Sequence, residues 1–174
     1  RIFSVEKSAT GKRKYMVGHL GRFLDYYWRK VDPNQRHYYE LIREKTPCRL
    51  YLDLEFSKQA NPDISEDDSD QLMEEFLQEL IAEFQTVYDL SIGMEDMVDL
   101  NSSTETKFSR HVVVHLPGGA LFADTVAVGR FVRVFVGRLA DEVATGTMMN
   151  SSTKPKAALA KYLFVNAAPS KRNN

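Results

Sequence analysis

Residues 48–56 alternate between apolar and polar side chains, and this segment constrains the fold more than any other. Side chains two positions apart on a β-strand point to the same face, so a half-buried strand is predicted. Asp53 and Glu55 share its polar face, roughly 7 Å apart by the rise of the strand. Carboxylates so placed can bind one divalent cation or a pair, although a solvated acidic face is about as common an outcome. The buried face is predicted to carry Leu50, Leu52, Leu54 and Phe56.

Residues 107–116 form a second predicted strand, with Lys107, Ser109 and His111 on one face. The ammonium group neutralises charge, and the hydroxyl and imidazole donate hydrogen bonds, which together suit phosphate groups beside a bound metal. A single histidine on a strand is more often structural. The row Lys-x-Ser-x-His after an Asp-x-Glu strand nevertheless favours a phosphate-binding site.

Charge is strongly segregated along the chain, although the formal net charge of the 174 residues is only −1. Residues 1–58 carry 13 Lys/Arg and 7 Asp/Glu, residues 59–106 carry none and 14, and residues 107–174 carry 10 and 3. Nucleic-acid binding depends on local positive surface, so this composition is compatible with it. The single cysteine, Cys48, excludes a disulfide framework and a cysteine-based zinc site within these residues. No apolar run reaches the length of a membrane span, and no membrane partner is expected.

Hydrophobic periodicity predicts helices around the two strands, which favours an α/β or α+β fold with a mixed sheet and flanking helices. The acidic segment before the second helix matches most of a calcium-loop frame, but Asp68 stands where the sharp turn requires glycine. It is predicted to be a solvated surface loop that caps the helix, with Ser69 and Asp70 as capping candidates. The predicted helices cover residues 20–29, 72–84 and from near 124 to 139, and short strands cover residues 2–5 and 14–17.

Two motifs closely resemble those of the eukaryotic primase-polymerases, a family in the archaeo-eukaryotic primase superfamily. The first is Asp-Leu-Glu-Phe at residues 53–56, and the second is Leu-Asn-Ser-Ser-Thr-Glu-Thr-Lys-Phe-Ser-Arg-His at residues 100–111. Upstream segments are similar as well, and the resemblance covers roughly residues 1–143. It implies the catalytic core of that superfamily, with an RRM-like palm. The upstream segments are residues 11–15, 23–28 and 37–40.

The resemblance also implies roles for individual residues. Asp53 and Glu55 match the catalytic carboxylates that hold Mn²⁺ or Mg²⁺ against a nucleoside triphosphate. Tyr39 matches a tyrosine near the nucleotide sugar, and Arg13 matches a basic residue near template and nucleotide. The sequence is equally compatible with Tyr39 as a packed aromatic residue and with Arg13 as an exposed charge of a hairpin. The residues matching the phosphate-contacting motif are Lys107, Ser109 and His111.

The activity implied by the resemblance is template-directed nucleotidyl transfer by a DNA primase and polymerase. Its substrates would be deoxynucleoside or nucleoside triphosphates and single-stranded or primed DNA. The resemblance further implies repriming and damage-tolerant DNA synthesis, a location in nucleus and mitochondrion, and a single-stranded-DNA-binding protein as partner of a C-terminal region that these residues do not include.

The chain departs from the family pattern after about residue 144. The family uses a third carboxylate on a later strand, and the corresponding residue here is either Asn166 or missing. An amide is a poor bridging ligand for two dications, so weak activity or none is expected from the chain alone. Asp99 and Asp124 are the other possible sources of a third carboxylate. The expected organisation is a partial catalytic core at residues 1–145 and a divergent or flexible tail at residues 146–174.

Two other functions are compatible with the sequence. Paired carboxylates with a lysine and a histidine also suit a metal-dependent nuclease. Alternatively, the chain is an inactive remnant that binds single-stranded DNA, in which Asp53 and Glu55 no longer complete a metal site.

Overall fold

The structure is a computed structural model that describes residues 1–6 and 12–145, together with the backbone of residues 164–165. The chain divides into two compact units, residues 1–46 and residues 47–174, each of which is described separately. No helix among the described residues is long and apolar enough to cross a membrane. The predicted boundary near residue 145 lies at the edge of the described residues and stays a prediction.

The first unit is a small antiparallel sheet with one helix. Its strands are β1 (Ile2–Glu6), β2 (Arg13–Val17) and β3 (Tyr38–Glu40), in the order β2-β1-β3, and its helix is α1 (Leu20–Lys30). The helix covers one face of the sheet, where the rings of Phe3 and Phe23 stack 3.7 Å apart. Ser4, one position along β1, therefore belongs to the opposite face. The predictions for β1, β2 and α1 are confirmed.

The second unit contains a larger sheet and two long helices. Its strands are β4 (Leu50–Ser57), β5 (Met97–Asn101), β6 (Lys107–Val114) and β7 (Phe164–Val165), in the order β5-β6-β4-β7. Every strand pair is antiparallel. The helices are α2 (Glu66–Tyr88) and α3 (Thr125–Thr145).

One apolar core joins β4 and β6 to both helices. Leu50, Leu52, Leu54 and Phe56 are buried as the alternation predicts, and Phe56 stacks on Phe108 of β6 at 4.8 Å. From α2 and α3 the core receives Phe76 and Phe135, whose rings meet edge to face at 5.4 Å. Because the apolar face of the sheet packs on the helices, its polar face is left to form a site.

The second helix begins earlier than the sequence predicts. Ser69 and Asp70 are wrong as caps, since α2 starts at Glu66 and Ser65 is its N-cap. The Ser65 hydroxyl accepts from the Asp68 amide at 3.1 Å, and the Asp68 carboxylate accepts from the Ser65 amide at 3.0 Å. The Ser65 hydroxyl also donates to the Asp68 carboxylate at 2.6 Å, and this bond, together with the one from the Ser65 amide, holds the pKa of Asp68 below its usual range. The acidic residues thus form the first helical turn, where the helix dipole favours negative charge.

The predicted fold class is confirmed, as an α+β arrangement of sheets with flanking helices. Since all described strand pairs are antiparallel, the larger sheet is not mixed in strand direction. The start of α3 is as predicted, with the Asp124 carboxylate accepting from the Ala127 amide at 2.8 Å. Two short strands, β3 and β5, were not predicted because strands of three and five residues are too short for a clear alternation.

Candidate active site

The open face of the larger sheet brings together five of the residues singled out by the sequence. In the antiparallel register of β4 and β6, Asp53 lies opposite His111, and Glu55 lies opposite Ser109. Lys107 lies two residues before Ser109 on β6 and therefore shares the face of Ser109 and His111. The predicted juxtaposition of the carboxylates with the Lys-x-Ser-x-His row is therefore present, and it follows from the pairing of two strands 50 residues apart.

Glu55 and Lys107 form an ion pair on this face. The Lys107 Nζ atom donates to Glu55 Oε2 at 2.7 Å, with 45% of the lysine side chain and 36% of the glutamate side chain exposed. The hydrogen bond to Glu55, with the charges of Glu55 and Asp53, raises the pKa of Lys107 above its ordinary value. Lys107 is therefore fully protonated at neutral pH and available to an anionic ligand.

Asp53 lies between solvent and His111. Its Oδ1 atom is 3.5 Å from His111 Nδ1, an ion-pair distance if the imidazole is protonated. The same oxygen is buried and accepts no hydrogen bond from any described residue. A buried carboxylate oxygen without a donor is costly, and a bound cation would satisfy it. Asp53 thus carries an acceptor atom that no described donor satisfies.

Ser109 differs from its neighbours in being buried. It is only 1% exposed, and its hydroxyl accepts a hydrogen bond from the Ser102 hydroxyl at 3.2 Å. Its amide donates to the Ser103 hydroxyl at 3.0 Å. In this arrangement Ser109 anchors the loop after β5 to the site, while its predicted contact with phosphate stays a prediction.

Arg110 lies on β6 between Ser109 and His111, and the sequence did not identify it as a site residue. It lies on the core face, where its guanidinium donates to both Asp99 oxygens, at 3.0 and 3.2 Å from Nε, and to Asp70 at 3.2 Å. The bond to Asp99 raises the pKa of Arg110. Asp99 lies opposite Val112 in the register of β5 and β6, so it forms this ion pair on the face of the sheet opposite to the one that carries Asp53 and Glu55. The sequence did not indicate this pairing, because Asp99 lies on β5, a strand that was not predicted.

Arg13 and Tyr39 lie in the first unit, on the face of its sheet opposite α1. Tyr39 and Tyr15 flank Ser4 on either side of β1, and Arg13 lies opposite Glu6. Tyr39 is 56% exposed, and Arg13 is also exposed. Tyr39 is therefore not the packed aromatic that the sequence left open, and its role near a nucleotide stays a prediction.

The residues of the open face fit a hard divalent cation, although no group of three or more His, Cys, Asp or Glu side chains within residues 1–6 and 12–145 is arranged to hold one. Mg²⁺ is commonly bound through one or two carboxylates together with substrate phosphates, and a pair such as Asp53 and Glu55 has the chemistry of such a ligand set. The β7 backbone pairs with β4 at Leu54 and Glu55. Asn166, the next residue but one after Phe164, lies outside the described residues, as does most of the predicted tail.

Comparison with known proteins gives a consistent set of relatives, while no family model matches the chain. The chain is 35% identical over 136 residues to the DNA-directed primase/polymerase protein of Gallus gallus, which covers 78% of this chain. It is 38% identical over 133 residues to the protein of the same name from Homo sapiens, and 37% identical over 133 residues to that from Danio rerio. These matches cover 76% and 75% of this chain.

The matched part spans 23% to 24% of the length of these relatives. The identity extends over about three quarters of this chain, as the two motifs predicted. The chain therefore belongs to the family of DNA-directed primase/polymerase proteins.

Proposed function

We propose that these residues form the nucleotide- and metal-binding part of a template-directed DNA primase and polymerase. The observation that carries the proposal is the pairing of β4 with β6, which sets Asp53 and Glu55 beside His111 and Lys107 on one open face. Two carboxylates can hold a metal ion, and the neighbouring lysine and histidine can bind phosphate oxygens. Together these groups suit a metal-bound polyphosphate better than the carboxylates or the basic residues would alone. The names of the relatives support the same activity.

In this proposal the chain acts by holding and orienting charged groups. Lys107 exchanges its bond to Glu55 for a phosphate oxygen of the nucleoside triphosphate, and His111 donates to another. The 3′ oxygen of a primer then attacks the α-phosphorus, a P–O bond forms, and the bond to the leaving pyrophosphate breaks. No covalent enzyme intermediate is required.

Mn²⁺ or Mg²⁺ would be held by Asp53 and Glu55, where it would stabilise negative charge on the attacking and leaving oxygens. The buried, donor-free Asp53 Oδ1 atom supports this assignment. Without a cation between them, Asp53 and Glu55 would repel a triphosphate, and an ion held by both carboxylates would reduce that repulsion.

Thermal unfolding tests the proposal. We expect Mn²⁺ and a deoxynucleoside triphosphate together to raise Tm, by a stabilisation of about 2.7 kcal/mol at a ligand concentration of one hundred times Kd. Asp53→Asn combined with Glu55→Gln should abolish this shift. Asp63→Asn is the matched control, because Asp63 is an exposed carboxylate of the segment before α2, outside the site. A full shift in the double variant would contradict the proposal.

Assays of DNA cleavage and of single-stranded DNA binding, beside the thermal unfolding, separate the two other functions. A metal-dependent nuclease would cleave DNA with Mn²⁺ and show no nucleotide-dependent shift. An inactive DNA-binding remnant would bind single-stranded DNA equally well with and without metal and nucleotide. The proposal predicts neither result.

The wider roles are proposals that rest on the family. They are synthesis on a single-stranded or primed DNA template, repriming, damage-tolerant synthesis, a location in nucleus and mitochondrion, and an interaction with a single-stranded-DNA-binding protein. The expectation of weak transfer by the chain alone depends on the third carboxylate, for which Asn166 is the candidate position outside the described residues.

A further inference from the structure

A tryptophan is presented at the end of α1 in the first unit. Trp28 is the single tryptophan of the chain and is 62% exposed. The guanidinium carbon of Arg36 lies 4.7 Å from the centre of the Trp28 ring, a cation–π contact, and Tyr27 meets the indole edge to face at 5.2 Å. We call Trp28 and Arg36 the Trp28 platform.

Arg36 is fixed in place beneath the indole. Its Nε atom donates to the Val31 carbonyl at 3.3 Å, and one terminal nitrogen donates to the Trp28 carbonyl at 3.2 Å. The Tyr27 hydroxyl donates to the Arg36 carbonyl at 3.3 Å. The exposed ring is therefore held before any ligand arrives, which lowers the entropic cost of stacking on it.

The surroundings of the Trp28 platform are positively charged. Residues 20–37 contain four Lys/Arg and two Asp/Glu. Arg29 and Lys30 follow Trp28 directly and are exposed, with Arg29 paired to Asp25 at 2.6 Å. An exposed aromatic ring among cations suits a ligand that offers both a flat π-face and a negative backbone. An apolar protein partner would instead place many of these charges in a desolvated interface.

The platform is separate from the residues matched to the nucleotide site within the same unit. Arg13 and Tyr39 lie on the open face of the small sheet, whereas α1 covers the other face through the Phe3–Phe23 stack. Trp28 belongs to α1 and thus to the opposite side of that sheet. Its exposure is not accounted for by the candidate active site.

We propose that the Trp28 platform binds an unpaired nucleic-acid strand, with a base stacked on the Trp28 ring and the strand's phosphates near Arg29 and Lys30. The inference rests on the proposed function only in taking that strand to be DNA template. The contact is independent of sequence, because every base has a face that can stack.

The fluorescence of Trp28 tests this directly, since no other tryptophan contributes. Titration of the 174-residue chain with an unlabelled oligo(dT) of 20 nucleotides should quench the Trp28 emission. The quenching should decrease as the salt concentration rises. With a labelled oligonucleotide, Trp28→Ala should bind about 5- to 100-fold more weakly, and Trp28→Phe should retain part of the affinity. Val17→Ala is the control, because Val17 is an apolar residue of β2 in the same unit that is 81% exposed and lies outside α1.

Each outcome decides the proposal. Binding without quenching, with Trp28→Ala equal to the unmodified chain, overturns it and leaves the proposed function intact. Quenching without any metal- and nucleotide-dependent shift in Tm supports the platform and contradicts the proposed function. A blue shift of Trp28 emission with vesicles of phosphatidylcholine and phosphatidylglycerol, and no response to oligo(dT), would overturn the proposal and assign the platform to a membrane surface.

Discussion

Asp53 combines a cost in stability with a use in binding. Its Oδ1 atom is buried and has no hydrogen-bond donor among the described residues, so this oxygen is poorly solvated although the side chain as a whole is 39% exposed. We expect Asp53→Asn to leave the free energy of unfolding unchanged or raise it by about 1 kcal/mol in metal-free buffer. The same variant should lose the Mn²⁺-dependent rise in Tm and, in a longer version of the protein, primer extension. Urea unfolding with and without EDTA measures the first effect, and a clear loss of stability would mean that Asp53 is structural.

Lys107 and His111 are expected to act on the nucleotide rather than on the template. Replacing either by alanine removes a charge-assisted contact, which is worth about 1.5 to 3 kcal/mol, or roughly one to two decades in affinity. Nucleotide affinity should therefore fall by that factor while affinity for single-stranded DNA changes little. Calorimetric titration of each ligand measures both, with His115→Ala as the control because His115 is exposed just after β6. Equal losses for nucleotide and DNA would place the row in the template channel.

Among the elements, strands with strict alternation were the easiest to predict. Leu50, Leu52 and Leu54 specify which face of β4 is buried, and a slip of one residue would expose all of them. The pairing of β4 with β6 could be expected only from the resemblance, because no local signal joins strands 50 residues apart. The start of α2 was mispredicted because two serines four residues apart both fit a cap, and only Ser65 has an acidic residue three positions later that completes a capping box, at Asp68.

The contact between α2 and α3 includes an ion pair that we expect to be important for stability. Arg138 donates to Glu83 at 2.7 Å, and the Glu83 side chain is only 5% exposed. Arg138→Met would leave Glu83 buried without this partner and should cost about 3 kcal/mol in the free energy of unfolding. Arg133→Met, an exposed arginine of the same helix, should cost less than about 0.5 kcal/mol.

Adding Glu83→Gln to Arg138→Met provides the second test of this pair. If the loss comes from an unpaired buried carboxylate, the double variant should recover part of it in urea unfolding, because the amide carries no charge. A double variant that is no more stable than Arg138→Met would attribute the loss to the packing of the arginine on Phe135, whose ring centre lies 5.7 Å from the guanidinium carbon.

At the scale of the whole molecule, composition and patterning predicted the fold class and the residues of the candidate site, which lie on one face of the sheet, but not the division of the chain into units. The two units separate at residues 46 and 47, just before Cys48 and the strand that carries the carboxylates. The sequence Thr46-Pro47 is typical of a linker, but other turns in the chain have similar sequences, so it does not indicate a boundary between units. Division into units depends on which residues pack together, and the side chains of the first unit offer little periodicity because most of them are exposed.

The two units should differ in local stability. The core of the second unit includes fully buried residues from β4, β6, α2 and α3, whereas the buried side chains among residues 1–6 and 12–46 are Phe3, Ser4 and Val31. Amide protection follows such burial, since segments with little buried apolar area open without global unfolding. In hydrogen exchange followed by mass spectrometry, we expect peptides from β4, β6 and the middle of α2 to exchange most slowly among the described segments. Peptides from β1 to β3 should exchange at least about tenfold faster, a difference of about 1.4 kcal/mol in opening free energy. Equal protection in both units would show that they unfold as one cooperative body.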